Sequence, residues 1–194
     1  MVEIEIRGKI DKKKFEECFA FLQREGEQKD HYQRMSVDIS PGFEEKTRSW
    51  KNLTGVDLRI KKSGNKEKIS AKIGNFTDKE REEIDIKLEE GQLLEVVKMF
   101  YKLGFDNGMI YMWESWEFDY QGFEVKLSKY RNDYFTFEIE AKDEGKDPDD
   151  LAKRMGLVPY QDQEYKEVIE WENQNIHSLF SVEEVERILE NWEK

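Results

Sequence analysis

Two short runs carry carboxylates at a spacing that permits chemistry: Glu3-Ile4-Glu5-Ile6-Arg7 near the start, and Glu138-Ile139-Glu140 much later. On a β-strand, residues two apart face the same side. Each run therefore sets two carboxylates on one side and an aliphatic on the other, and Arg7 extends the first row. Two such acidic rows on neighbouring strands make an all-oxygen site suited to Mg²⁺ or Mn²⁺. A position for metal-assisted chemistry on an anion follows, provided other strands supply the cations.

Those cations have a place in the sequence. Residues 1–75 hold 17 Lys/Arg against 13 Asp/Glu, whereas residues 76–194 hold 15 against 31, within a total charge of -12. The overall acidity argues against nucleic acid and anionic membranes as partners. Basic groups able to meet a small anion are concentrated in the first half, and the acidic second half serves mainly solubility. At 194 residues, with 37% hydrophobic and 13% aromatic content, the chain is expected to form one ordinary domain with a lean core. One cysteine, Cys18, excludes an internal disulfide and fits a reducing compartment. With no apolar run of membrane-spanning length and no leader in the sequence, a cytoplasmic location is the expectation. His31 and His177 stand apart from any second zinc-type ligand.

The elements that must position these groups are predominantly strands with one charged face. Leu58 and Ile60 alternate with Asp57, Arg59 and Lys61; Ile69, Ala71 and Ile73 with Ser70 and Lys72; Ile84 and Ile86 with Glu83, Asp85 and Lys87. His31–Ile39 reads as a further strand, followed by a loop from Pro41-Gly42 to Gly55. Residues 110–120 and 123–129 read as a hairpin turning at Gln121-Gly122. Helices are predicted after Asp11 (apolar stripe Phe15, Cys18, Phe19, Leu22), over Leu93–Leu103 before Gly104, and from Asp147-Pro148 to Gly156. A further helix carries Tyr165, Val168 and Ile169, and a capping box at Ser181–Glu184 opens the last one. If the apolar stripes cover the aliphatic strand faces, the charged faces turn the other way. The predicted architecture is α+β: a closed antiparallel β-barrel, a tunnel with charged interior, helices packed outside and a C-terminal helical extension. Its expected division is a barrel domain over residues 1–160 with residues 161–194 packed on it.

The order of these features resembles the CYTH superfamily, the triphosphate tunnel metalloenzymes, which include class IV adenylate cyclases and thiamine triphosphatases. Its opening Glu-x-Glu-x-Lys strand resembles Glu3, Glu5 and Arg7; its strand of alternating basic residues, Arg59 and Lys61; its next lysine, Lys72. Its Arg-x-Glu strand looks like Arg81-Glu82-Glu83, its Leu-Gly-Phe corner is Leu103-Gly104-Phe105, and its closing Glu-x-Glu is Glu138 and Glu140. The resemblance covers about residues 1–160. It implies that Glu3, Glu5, Glu138 and Glu140 hold the metal, with Glu138 and Glu140 catalytic, and that Arg7, Arg59, Lys61, Lys72 and Arg81 bind phosphates. Glu83 and Asp85 are possible further acidic ligands.

Three positions depart from the family pattern. A Lys-x-Arg pair falls on Tyr111 and Trp113, and an aspartate falls on Ser128; Lys126 and Lys129 are candidates to compensate. The leading expectation is divalent-metal-dependent hydrolysis of a triphosphate: tripolyphosphate, thiamine triphosphate or a nucleoside triphosphate. The alternatives are a non-catalytic phosphate-ligand-binding module, motivated by the three departures, and a class IV-type adenylate cyclase. A scaffold role for the acidic tail is a further class. The protein is expected to act as a monomer or homodimer.

Overall fold

The computed structural model describes residues 5–50, 54–75, 82–143 and 145–192, and of Thr54, Asn75, Asp162 and Gln163 the backbone alone. Glu3 and Arg81, two of the candidate site residues, lie outside the described residues, as do Asn52 and Leu53. The strands are β1 (Glu5–Ile10), β2 (Glu27–Asp38), β3 (Phe43–Glu44), β4 (Ser49–Trp50), β5 (Thr54–Ser63), β6 (Lys66–Asn75), β7 (Glu82–Leu88), β8 (Met109–Tyr120), β9 (Phe123–Tyr130), β10 (Tyr134–Ala141) and β11 (Ser178–Leu179). The helices are α1 (Lys12–Glu25), α2 (Leu93–Lys102), α3 (Pro148–Met155), α4 (Asp162–Asn175) and α5 (Val182–Glu190).

The protein is α+β. One large sheet orders its strands β1-β10-β9-β8-β2-β5-β6-β7, with β11 beside β8, and β3-β4 form a separate hairpin. The order ends at β1 and β7, and among the described residues the sheet is not closed into a barrel. Two compact units divide the chain: Arg34–Met112 with Glu167–Lys194, and Val2–Gln33 with Trp113–Lys166.

In the unit built around β1, β10 and β9, the aliphatic strand faces meet α1 and α3. Ile6, Ile139, Val125 and Phe118 form one row, and Phe137 and Leu127 the next; they pack with Phe15, Cys18, Leu22 and Leu151 in one core. Each large apolar side chain buried here contributes about 1.5–3 kcal/mol. The helices begin as their sequences dictate. The Asp11 carboxylate accepts from the Lys14 N–H (2.7 Å) and the Asp147 carboxylate from that of Asp149 (3.0 Å). Gly156 takes a left-handed conformation after α3 (φ 65°), and the following Leu157 N–H returns to the Ala152 carbonyl (2.8 Å). The β8–β9 hairpin turns at Gln121 (φ 52°) and Gly122 (φ 79°), positive angles suited to a tight hairpin. That turn fixes the register and so decides which side chains share a face.

In the other unit, Val37, Ile60, Leu93, Val97 and Val185 share a core between sheet, α2 and α5. A buried ion pair fastens α2: Lys62 Nζ lies 2.7 Å from Glu67 Oε1, and Glu67 Oε2 accepts from the Leu93 N–H (2.8 Å). The carboxylate thus caps a helix whose own preceding residue, Gln92, makes no side-chain cap. Ser181 Oγ accepts from the Glu184 N–H (3.1 Å), as its capping motif predicts, and Trp192 Nε1 donates to the Gly64 carbonyl (3.2 Å). Two expectations change in detail. The Pro41–Gly55 loop contains the β3–β4 hairpin, closed by Phe43 against Trp50 and by the Trp50 indole donating to the Ser40 carbonyl (3.0 Å). Strand β2 starts at Glu27 rather than His31, because its first residues are polar on both faces and give no alternation.

Candidate functional site

Each unit presents a charged sheet face. In the β1-β10-β9-β8 region, antiparallel register sets the residues in cross-strand rows. Glu5, Glu140, Glu124 and Asp119 form one row, and Arg7, Glu138, Lys126 and Glu117 the next. Directly opposed residues point to the same face, so one row is wholly acidic and its neighbour alternates in sign. The third row is Lys9, Thr136, Ser128 and Ser115. Glu5, Arg7, Glu138 and Glu140 are therefore together, as the sequence indicates.

Three acidic groups of these rows, Glu124, Glu140 and Asp119, lie near lysines. Lys126 Nζ lies 2.6 Å from Glu124 Oε1 and 4.0 Å from Glu140 Oε2. Lys142 Nζ lies 2.8 Å from Asp119 Oδ1 and 2.9 Å from Glu124 Oε2, and Lys29 reaches Asp119 Oδ2 at 3.4 Å. The Tyr32 hydroxyl donates to Glu117 Oε1. Burial works against the charge on Lys126, but Glu138 and Glu124 outweigh it and hold the ammonium protonated far above its ordinary range. Burial likewise works against Glu124, whose carboxyl nevertheless sits below its usual value beside Lys126 and Lys142. Among the described residues, no three carboxylates, imidazoles or thiols come together in a group that would hold a metal ion. Tested on this geometry, the rows as they stand do not fit a divalent ion: Lys126 lies against Glu124 and Glu140, and Lys142 against Glu124 and Asp119.

The face of β5, β6 and β7 is different. Asp57, Lys72 and Glu83 form one row; Arg59, Ser70 and Asp85 the next, with Asp38 opposite Arg59; Lys61, Lys68 and Lys87 the third, with Ser36 opposite Lys61. Arg59, Lys61, Lys72, Glu83 and Asp85 thus share one face. Arg59 Nε sits 2.6 Å from Asp57 Oδ1 and 3.3 Å from Asp38 Oδ2. Burial opposes its charge, yet these carboxylates keep the guanidinium ionised. Burial pushes the Asp38 carboxyl up, with Arg59 and the Ser40 hydrogen bonds acting in the opposite sense.

The surroundings of Lys61 disfavour its charge. Its side chain is 14% exposed, its ammonium donates to Ser70 Oγ (3.1 Å), and Glu83 is 4.0 Å away. Burial, then the neighbouring charges of Arg59 and Lys68, bring its pKa down to about 7. Glu83, also half-buried, is 3.5 Å from Lys72 and 4.0 Å from Lys68, and the lysines around it hold its carboxyl below the ordinary value despite burial. Lys68 and Lys87 were not among the sequence candidates. Their alternation with Ser70 and Asp85 is visible, but the register that places them beside Lys61 is not.

The three departures have structural occupations. The Tyr111 hydroxyl donates to Asp38 Oδ2 (3.0 Å), its ring lies 5.4 Å from the Arg59 guanidinium, and burial raises its pKa well above the ordinary value. Trp113 stacks on Tyr130, with centroids 5.4 Å apart and planes 19° apart. The Ser128 hydroxyl pairs with that of Ser115 (2.7 Å), both buried. Neither histidine joins these rows: His31 stacks on Trp116 and meets Glu114 (2.8 Å), while His177 packs against Tyr111.

Solved structures share this fold. The PH1819 protein of Pyrococcus horikoshii aligns with a TM-score of 0.63 at 18% identity, covering 86% of this chain and 97% of its own. A candidate adenylate cyclase of Bacillus halodurans aligns at 0.55 and 16% identity (82% and 92% covered). HpAC1 of Hippeastrum, a candidate adenylyl cyclase described as having a dominant triphosphatase activity, aligns at 0.50 and 14% (81% and 89% covered). No protein-family profile matches the chain, and no curated protein matches it in sequence. The chain shares its fold with these solved structures at 18%, 16% and 14% identity.

Proposed function

We propose that the protein binds a small molecule bearing a triphosphate on the charged face of β5, β6 and β7. The observation that carries this reading is the lysine row: Lys61, Lys68 and Lys87 stand side by side, with the Lys61 side chain half-buried and its pKa lowered to about 7. A buried ammonium beside like charges is unfavourable in the free protein, and a polyanion relieves that cost. Arg59 stands in the next row and Lys72 in the one beyond, the former suited to bidentate phosphate contact but already engaged by Asp57 and Asp38.

Binding then carries a proton. Free Lys61 is about half charged near pH 7, and a bound phosphate raises its pKa. Ligand uptake near pH 7.5 should therefore take up a proton, and affinity should fall as pH rises from 6.5 to 8.5. Calorimetric titration with tripolyphosphate in buffers of differing ionisation enthalpy measures both effects. Lys61→Gln should weaken binding by about tenfold or more and remove most of the proton uptake. Binding that is indifferent to Lys61 would remove the lysine row from the ligand site.

Hydrolysis is the second reading, favoured by the acidic row of Glu5 and Glu140 and by the adjacent Glu138. That reading requires Mg²⁺ or Mn²⁺ to displace Lys126 from Glu138 and Glu140, and phosphate release from tripolyphosphate, thiamine triphosphate or ATP would then be lost with EDTA and in Glu138→Gln. Cyclic AMP formed from ATP would mark the cyclase alternative. Ligand binding without turnover supports the first reading.

A further inference from the structure

The acidic rows of β1, β10 and β9 bring six carboxylates onto one face, Glu5, Glu140, Glu124, Asp119, Glu138 and Glu117. So many like charges require positive charge nearby, supplied from inside or from solution. The chain itself supplies it. Lys126 stands on the central strand β9, directly between Glu138 on β10 and Glu117 on β8. Its ammonium lies 2.6 Å from Glu124 and 4.0 Å from Glu140, with a side chain only 19% exposed. Lys142 closes the row's other end over Glu124 and Asp119.

We infer that Lys126 is a built-in counter-ion, and that its ammonium takes the place among Glu124, Glu138 and Glu140 that a divalent cation would need. The three N–H bonds of an ammonium satisfy carboxylate oxygens much as a metal would, but without vacant positions for a phosphate or a water. A divalent ion on Glu138 and Glu140 would have this ammonium as its neighbour, and the repulsion between them is strong where solvent is largely excluded. The same residue therefore neutralises the acids and excludes the metal. Ser128, two residues along the same strand face, sits at the position of the family's aspartate and adds no charge to oppose this. The inference stands apart from the proposed phosphate site, since it concerns the other unit's charged face and makes no use of Lys61.

The test is calorimetric titration of Mn²⁺ into the full chain without phosphate, together with melting temperature with and without Mn²⁺. The wild-type protein should show no Mn²⁺ binding below millimolar concentration and no shift in melting temperature. Lys126→Met should bind Mn²⁺ at least about tenfold more tightly than wild type and melt at higher temperature with Mn²⁺ than without. Adding Glu138→Gln to Lys126→Met should remove that gain. Micromolar Mn²⁺ binding by wild type, abolished by Glu138→Gln, would overturn the inference without requiring any Lys126 variant to fold. A folded Lys126→Met that binds Mn²⁺ no better than wild type would overturn it equally. Neither result bears on whether tripolyphosphate binds at the lysine row, so the two proposals fail separately.

Discussion

Individual residues on these faces serve several partners at once, and this sets the cost of changing them. Tyr111 is the clearest instance. Its hydroxyl satisfies buried Asp38 while its ring covers Arg59. Tyr111→Phe keeps the ring and removes the donor, and should lower stability by about 1–3 kcal/mol, measured by urea unfolding. An unchanged midpoint would mean that Asp38 does not need that bond. Replacing Tyr111 with Lys would set an ammonium beside Arg59 and so add repulsion. Lys61 obeys the opposite logic. Its pKa falls from 10.5 in the unfolded chain to about 7, so it costs stability fully below pH 7, and that cost fades as pH rises toward 10.5. A bound polyanion reduces this cost.

Elements depend on contacts that cross from one strand or helix to another. Glu67 belongs to β6 yet caps α2 and neutralises Lys62, both inside. Glu67→Ala should cost about 3–5 kcal/mol in a denaturant titration, because it strands a buried ammonium and uncaps a helix. A loss within experimental error would show that Lys62 escapes to solvent. Gly8 on β1 lies against Phe137: a Cβ there would come within 2.4 Å of the Phe137 ring and 2.5 Å of the Val158 carbonyl. Gly8→Ala should therefore destabilise by about 1–3 kcal/mol through overpacking, read by melting temperature. Little of this was legible beforehand. Capping residues announced α1, α3 and α5, since Asp11, Asp147 and Ser181 act locally. The caps and contacts of Glu67 and Gly8 come from residues distant in sequence, and no local pattern marks them.

At the scale of the whole chain, the charged faces were readable and their electrostatic balance was not. Period-two alternation put Glu5 with Arg7 and Arg59 with Lys61, and the register then bore out their placement on shared faces. The same alternation could not say which strand lies beside which. Lys68 beside Lys61, and Lys126 between Glu138 and Glu117, are facts of pairing. The pairing decides the chemistry: on one face lysines lie against Glu124, Glu140 and Asp119, while on the other Lys68 stands beside Lys61. Two-residue strands such as β3, β4 and β11 were equally invisible, being too short to show a period. The described helices include none long and apolar enough to cross a membrane.

The central claim is that the lysine row binds a polyphosphate and draws a proton to Lys61. The most direct measurement is calorimetric titration of tripolyphosphate at pH 6.5 and 8.5, in wild type and Lys61→Gln, with EDTA present. The account predicts metal-independent binding that is tighter at pH 6.5, with a pH dependence that disappears in the variant. Absence of binding at both pH values, or the same pH dependence in Lys61→Gln, would contradict it.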